Sequence, residues 1–106
     1  MEPIFMVQLN IEASDEDRWN RWYNEVHVPE VMSLSNQIIS ATRYRKTLGD
    51  AEHGYLAIYR FSSQVALEAF IASPELKRMG EEYAREWGSS SVRVRGFYEP
   101  IMEVVP

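Results

Sequence analysis

The sequence predicts an α+β fold, with four strands in one antiparallel sheet and helices packed against one of its faces. Three observations predict it. Short stretches alternate apolar and polar residues with a period of two. Longer stretches carry apolar residues at helical spacing. The two kinds of stretch follow one another as strand, helix, strand, strand, helix, strand.

Ile4 to Ile11 reads as the first strand, with Phe5, Val7, Leu9 and Ile11 on one face and Ile4, Met6, Gln8 and Asn10 on the other. Ser14 then offers an N-cap. Asp15, Glu16 and Asp17 fill a first helical turn, where negative charge suits the helix dipole. Trp19, Tyr23 and Val26, with Trp22 beside them, form the inward stripe of that helix. Pro29 interrupts it. Its ring clashes with the carbonyl of Glu25 and pushes Val28 out of the α region, so His27 is expected at a helix end; a short helical turn then runs to about Ser33.

Ile38 to Thr47 reads as the second strand and Tyr55 to Phe61 as the third. Gly49 to Gly54 forms the turn between them, which makes the pair a hairpin. Ser63 caps a second helical stretch carrying Val65, Ala66, Leu67, Ala69, Phe70 and Ile71. Ser73-Pro74-Glu75 restarts it, with proline in the first turn. Leu76, Met79, Tyr83 and Trp87 then share one face, and Gly88 with Ser89 to Ser91 ends the helix. Val92 to about Val104 is the last strand. This order is the ferredoxin-like, split βαβ arrangement, βαββαβ. With helices on one face only, the other face of the sheet stays bare. Ile4, Met6, Leu56 and Ile58, or their opposite-parity neighbours, are expected there, and a second sheet would cover them. The expectation is a homodimer, with Ile101, Met102, Val104 and Val105 joining the interface.

Composition narrows the function classes. The 106 residues suffice for a single domain, 1–106, and the hydrophobic and charged shares of 45% and 25% are those of an ordinary globular protein. There is no cysteine, which excludes disulfides and thiolate chemistry. A formal net charge of −5 argues against binding nucleic acid through phosphate contacts. No apolar run approaches a membrane span, and no signal-peptide pattern opens the chain, so the expected location is the cytoplasm.

The segment Trp22-Tyr23-Asn24-Glu25-Val26-His27-Val28-Pro29-Glu30-Val31, followed by the pair Arg43-Tyr44 and the strand Tyr55-Leu56-Ala57-Ile58-Tyr59, resembles the dimeric α+β barrel superfamily, in its EthD-like and NIPSNAP-like branch. The resemblance spans nearly the whole chain. It implies a dimer formed through the sheets and a pocket between helices and sheet. The superfamily hosts monooxygenases, cyclases, isomerases, dehydratases and haem-degrading enzymes, so fold alone does not select a reaction. Relatives often carry a Pro-Gly pair where this chain has Ser35-Asn36-Gln37, and the Asn, Trp and His set of the haem-degrading members has no match here.

His27 is the leading candidate for chemistry, as a general acid or base, because an imidazole titrates near neutrality. Glu30 could orient it. The other reading is a histidine that closes a helix by bonding a carbonyl. Tyr23, Tyr44, Tyr59 and Tyr98 could each place a phenol near His27; Tyr44 and Tyr59 are the candidates to stabilise a developing oxyanion, against the reading that they pack across neighbouring strands. Trp19, Trp22 and Trp87 could box a flat ligand or simply build core, Tyr23 is a further candidate to touch it, and Asn24 and Arg43 could orient it or be solvated surface. No cofactor fingerprint is present, and His27 with Glu25 or Glu30 is a thin ligand set for a metal.

The expectation is therefore a cofactor-independent enzyme. It would catalyse proton transfer (isomerisation, dehydration or cyclisation) on a small cyclic or aromatic carbonyl compound. A cofactor-free monooxygenase and a non-catalytic, stress-associated ligand-binding protein are the alternatives.

Overall fold

The computed structural model describes residues 2–50 and 53–106. Four strands form one antiparallel sheet: β1 (Ile4–Leu9), β2 (Ile38–Arg45), β3 (Tyr55–Phe61) and β4 (Arg93–Tyr98), in the spatial order β2-β3-β1-β4. Its helices are α1 (Glu16–Trp22), α2 (Val28–Ser33), α3 (Gln64–Ile71) and α4 (Pro74–Trp87). One face of the sheet packs on the helices, which gives the α+β, ferredoxin-like βαββαβ arrangement that the sequence predicts.

Alternation sets the core. Phe5, Val7 and Leu9 of β1 and Tyr55, Ala57, Tyr59 and Phe61 of β3 are buried. Against them lie Trp19, Tyr23 and Val31 from the first helical region, Leu67 and Phe70 of α3, and Leu76, Met79, Tyr83 and Trp87 of α4. Each large apolar side chain removed from water contributes about 1.5–3 kcal/mol before ordering costs. Ser63 and Ser73 cap α3 and α4 by accepting from the backbone N–H of Ala66 and Leu76. The other side of the sheet has no layer over it. Ile4, Met6, Leu56 and Ile58 are half-buried there, and Val94 and Tyr98 are exposed.

Several expectations need correction. Ser14 does not cap α1: it lies in a 3₁₀ turn (Ala13–Asp15), and α1 starts without a side-chain cap bond. Strand β1 ends at Leu9 and β2 at Arg45, each two residues early. Strand β4 stops at Tyr98 rather than near Val104, just ahead of Pro100, which lacks the N–H a ladder needs. Residues 99–106 carry no regular structure and are exposed. In the turn predicted at Gly49–Gly54, Ala51 and Glu52 lie outside the described residues; Gly49 (φ 111°) and His53 (φ 51°) take the left-handed backbone of a tight reversal.

The main correction concerns Pro29, which does not break the helix. Tyr23–His27 forms a π-helical segment between α1 and α2, closed by the Val28 N–H bonding Tyr23 O. The wider turn carries the chain past the proline, which sits in the first turn of α2. Val28 keeps helical angles, φ −60° and ψ −46°. His27 therefore lies in mid-helix, not at an end. The extra residue also re-phases the inward stripe. Trp19, Tyr23, His27 and Val31, each four apart, are buried, while Val26, expected inside, is 42% exposed.

No helix among the described residues is long and apolar enough to cross a membrane.

Candidate functional site

The π-helical segment builds the site. In an α-helix, two residues five apart would be rotated by about 140° from each other. Here the wide turn brings them onto one face, and the His27 ring stacks on Trp22 at 4.9 Å between centroids and 23° between planes. Tyr23 meets the imidazole edge-on at 4.8 Å, and Tyr83 of α4 closes the cluster at 6.0 Å.

A small cavity of about 20 Å³ opens beside this cluster, between helices and sheet. That is room for about one water. Phe5, Val7, Val31, Leu76 and Met79 form its apolar wall. Tyr23, His27, Tyr59, Gly80, Arg93 and Arg95 form the rest.

His27 is 8% exposed. Burial, then the charges of Arg93 and Arg43, push its pKa down from 6.5 to about 4, so the ring is neutral at physiological pH. No hydrogen bond from the described residues holds it, and no carboxylate is among the groups acting on it. Glu30, expected to orient the ring, is exposed on the outer side of α2. The Tyr59 hydroxyl is buried and faces the Tyr23 side chain, which favours its ionised form slightly, but no well-formed hydrogen bond joins them; burial drives its pKa well up, so it remains a proton donor. Tyr23 is likewise held protonated by burial.

Arg93 and Arg95 line the cavity, and Arg43 stands outside it behind Tyr23. Arg43 of β2 lies 4.3 Å over the Tyr23 ring, and its Nη1 and Nη2 donate to Asn24 Oδ1 (2.7 Å) and Asn20 Oδ1 (2.9 Å). Arg93 of β4 lies 4.5 Å over the Tyr83 ring and donates to Gly80 O at 3.1 Å. Tyr83 is itself held rigidly. It accepts from Trp19 Nε1–H (3.0 Å) and bonds Ser91 Oγ (2.7 Å), and Ser91 in turn donates to Asn10 O (2.7 Å).

Of the residues that the sequence singled out, the structure brings His27, Tyr23 and Tyr59 to one cavity, with Trp22 stacked behind the imidazole. Arg43 approaches Tyr23 from the far side, tied down by Asn24 on the surface. Trp87 is fully buried behind Trp22, 5.5 Å away, and does not line the cavity. Tyr44 is turned to the bare face and is 52% exposed, opposite Leu56. A β-bulge explains this. Ile38 pairs with Phe61 but Ser40 with Arg60, so Ile39 is an extra residue that flips the strand's parity. Beyond it, Ala41, Arg43 and Arg45 take the helix side and Tyr44 the other.

Arg93, Arg95, Tyr83 and Gly80 were missed as site residues. The pairs Leu9–Arg93, Val7–Arg95 and Phe5–Phe97 put the arginines on the helix side of β4, while Val94 faces out. Phe97, alternating with the two arginines, was the one signal for this.

A family model for a domain of unknown function, DUF4286, matches residues 2–101. The chain belongs to this family. Among curated proteins no relative matches. Solved structures with the same fold include an EthD-family protein from Bacillus halodurans, with a TM-score of 0.67 and 14% identity over 95% of this chain and 100% of that one. A Dabb-family protein from Mesorhizobium loti with a ferredoxin-like fold aligns at TM-score 0.64 and 15% identity, covering 96% and 100%. SnoaB, a cofactor-independent oxygenase from Streptomyces nogalater, aligns at TM-score 0.59 and 15% identity, covering 97% and 96%. These likenesses show that the chain shares their ferredoxin-like fold.

Proposed function

We propose that this protein is a cofactor-independent enzyme that moves a proton on a small cyclic or aromatic carbonyl compound at the His27 cavity. One observation carries the reading: a neutral imidazole with no protein hydrogen bond shares a cavity with a buried phenol, Tyr59, whose hydroxyl faces only the Tyr23 side chain without a well-formed hydrogen bond. Buried polar groups are ordinarily satisfied, and exceptions call for an explanation. A substrate that bonds both groups supplies one.

In this reading His27 takes a proton from the carbon beside the substrate carbonyl. The C–H electron pair becomes a C=C bond, and the carbonyl oxygen takes the negative charge. The Tyr59 hydroxyl donates to that oxygen, and the Arg93 guanidinium adds positive potential. Return of the proton from the imidazolium to another carbon completes an isomerisation; its delivery to a departing hydroxyl completes a dehydration. With a pKa of about 4, His27 is a weak base in the empty site. An enolate lying between it and the arginines offsets their charge and raises its basicity when the proton moves.

The test is His27-dependent exchange of the substrate's α-proton into D₂O, followed by NMR on a carbonyl substrate found by screening. His27→Asn should slow exchange by on the order of 10²–10⁴-fold; an unchanged rate sinks the reading. The cofactor-independent oxygenase SnoaB, similar in fold, favours a second course. The same carbanion would react with O₂ in place of a proton donor, and oxygen uptake during turnover would separate the two.

We also propose that two copies pair through the bare faces of their sheets, covering Ile4, Met6, Leu56 and Ile58. Ile58, opposite both Met6 and Thr42, is central to that face. Sedimentation equilibrium should give a dimer for the native chain and a monomer for Ile58→Glu. A native monomer would overturn the pairing.

A further inference from the structure

The His27 cavity and a groove on the surface share two of their lining side chains. Leu76 and Arg95 line both the cavity and an open depression of about 470 Å³, whose other walls include Ile71, Pro74 and Lys77. These two side chains stand between the groove and the imidazole's cavity. At about 20 Å³ the inner space is too small for a ring. The side chains that would yield are Leu76 and Met79, of which methionine is unbranched and adaptable.

Charge along this path has one sign. Lys77 and Arg95 line the groove, Arg95 and Arg93 line the cavity, and no aspartate or glutamate among the described residues lines either. This is unusual for a chain with sixteen acidic residues and eleven Lys and Arg. Among the described residues four of the eleven Lys and Arg, namely Arg18, Lys46, Arg60 and Arg78, pair with a carboxylate. Arg93 and Arg95 have no such pair among the described residues, and they lie two apart on the same face of β4, so their charges repel. The placement of Arg93 is built into α4. Gly80 stands mid-helix, where glycine costs about 1 kcal/mol relative to alanine. A Cβ there would come within 3.1 Å of Arg93 Nη2, the nitrogen that donates to Gly80 O.

The geometry points to an anionic ligand: a flat, aromatic carboxylate or a comparable organic anion enters past Leu76, and its negative group is anchored by Arg95 and Arg93. The inference rests on the cavity being the working site, and it adds the charge of the substrate to that reading. Cationic walls along a cleft raise the local concentration of an anion and its on-rate. Two unpaired guanidinium groups side by side fit a carboxylate, which can accept from both.

The test uses three near-isosteric probes of different charge: benzoate, benzamide and benzamidine. Binding is read from chemical-shift changes of the Trp22 indole N–H and the His27 ring protons. Benzoate should bind at least tenfold more tightly than benzamide, and benzamidine should not bind. In Arg95→Gln the preference for benzoate over benzamide should fall at least fivefold, whereas Arg45→Gln on β2 should leave it unchanged. Equal binding of benzoate and benzamide, no saturable binding of any probe, or a preference that survives Arg95→Gln overturns the proposal. Its failure is separable from failure of the catalytic reading. Charge-selective binding without His27-dependent proton exchange leaves the anion site standing, and exchange on a neutral ketone without anion preference leaves only the enzyme.

Discussion

The two cationic ends of the His27 cluster use the same side chain differently. Arg43 and the Arg93–Arg95 pair occupy the helix side of the two edge strands, β2 and β4. At the Arg43 end, both terminal nitrogens are spent on the amide oxygens of Asn20 and Asn24, and the guanidinium plane lies on Tyr23. Asn20 also donates to the Tyr55 hydroxyl, which bonds Glu16, so the arginine is one link in a clamp joining α1 to β2 and β3. At the other end, Arg93 makes a single bond to Gly80 O, and Arg95 is exposed. Amide oxygens satisfy donors without cancelling charge. Both ends therefore keep a positive field on His27; Arg43 retains an unbonded, buried Nε–H, but only the β4 arginines line the cavity, where their donors can reach a ligand. The contrast separates an arginine that holds the fold from arginines held ready by it.

The largest effect concerns the group between the two ends. His27 has a folded pKa of about 4 against 6.5 in a model peptide. Between those values the unfolded chain binds the proton and the folded chain does not, so stability falls as the pH drops from 6.5 to 4 and is fully present above 6.5. The loss is roughly 3 kcal/mol. Carboxylates titrate in the same window, so the check is a difference. Urea unfolding of the native chain and of His27→Asn at pH 7.5 and pH 4 should show that much less acid sensitivity in the variant. Equal acid sensitivity would mean that neither burial nor the arginine field acts on this imidazole as described.

The next effect sets the two ends directly against each other. Arg43→Met removes two hydrogen bonds and the contact with Tyr23, and should cost roughly 2 kcal/mol. Arg95→Met removes no hydrogen bond or ion pair among the described residues and should stay within about 0.5 kcal/mol of the native chain. Chemical denaturation midpoints with unchanged m-values decide it. Similar losses at both positions would erase the distinction between clamp and anchor.

The order of elements was legible because burial imposes a period of two on β1 and β3 and a helical stripe on α4, and their residues fell where those patterns put them. Which strand face met the helices was harder to read. On β4 both faces carry apolar groups, Val94 and Tyr98 on one and Phe97 on the other. The intuitive choice puts valine in and arginine out, and the register does the reverse. On β2 the extra residue Ile39 moved Tyr44 away from the site and Arg43 toward it, and nothing in the local sequence marks that bulge. His27 was found for a reason that needed changing. Pro29 does mark the spot, but it works through a widened helical turn that aims the imidazole inward instead of ending the helix.

The smallest effect sharpens the comparison most, because it weighs the two fields at one atom group. Burial is the first cause of the lowered His27 pKa, followed by Arg93 and then Arg43. Neutralising either arginine should therefore raise the pKa without restoring 6.5, since the desolvated ring stays where it is. Arg93→Gln should raise it more than Arg43→Gln. Arg43 also sits among Tyr23, Tyr55 and Tyr59, so removing it disturbs more structure for less change in charge at the imidazole. An NMR titration of the His27 ring protons in the three proteins gives the order. If Arg43→Gln produced the larger rise, the clamp would be the main source of the field on the imidazole, and the anchor role of the β4 arginines would lose its electrostatic support.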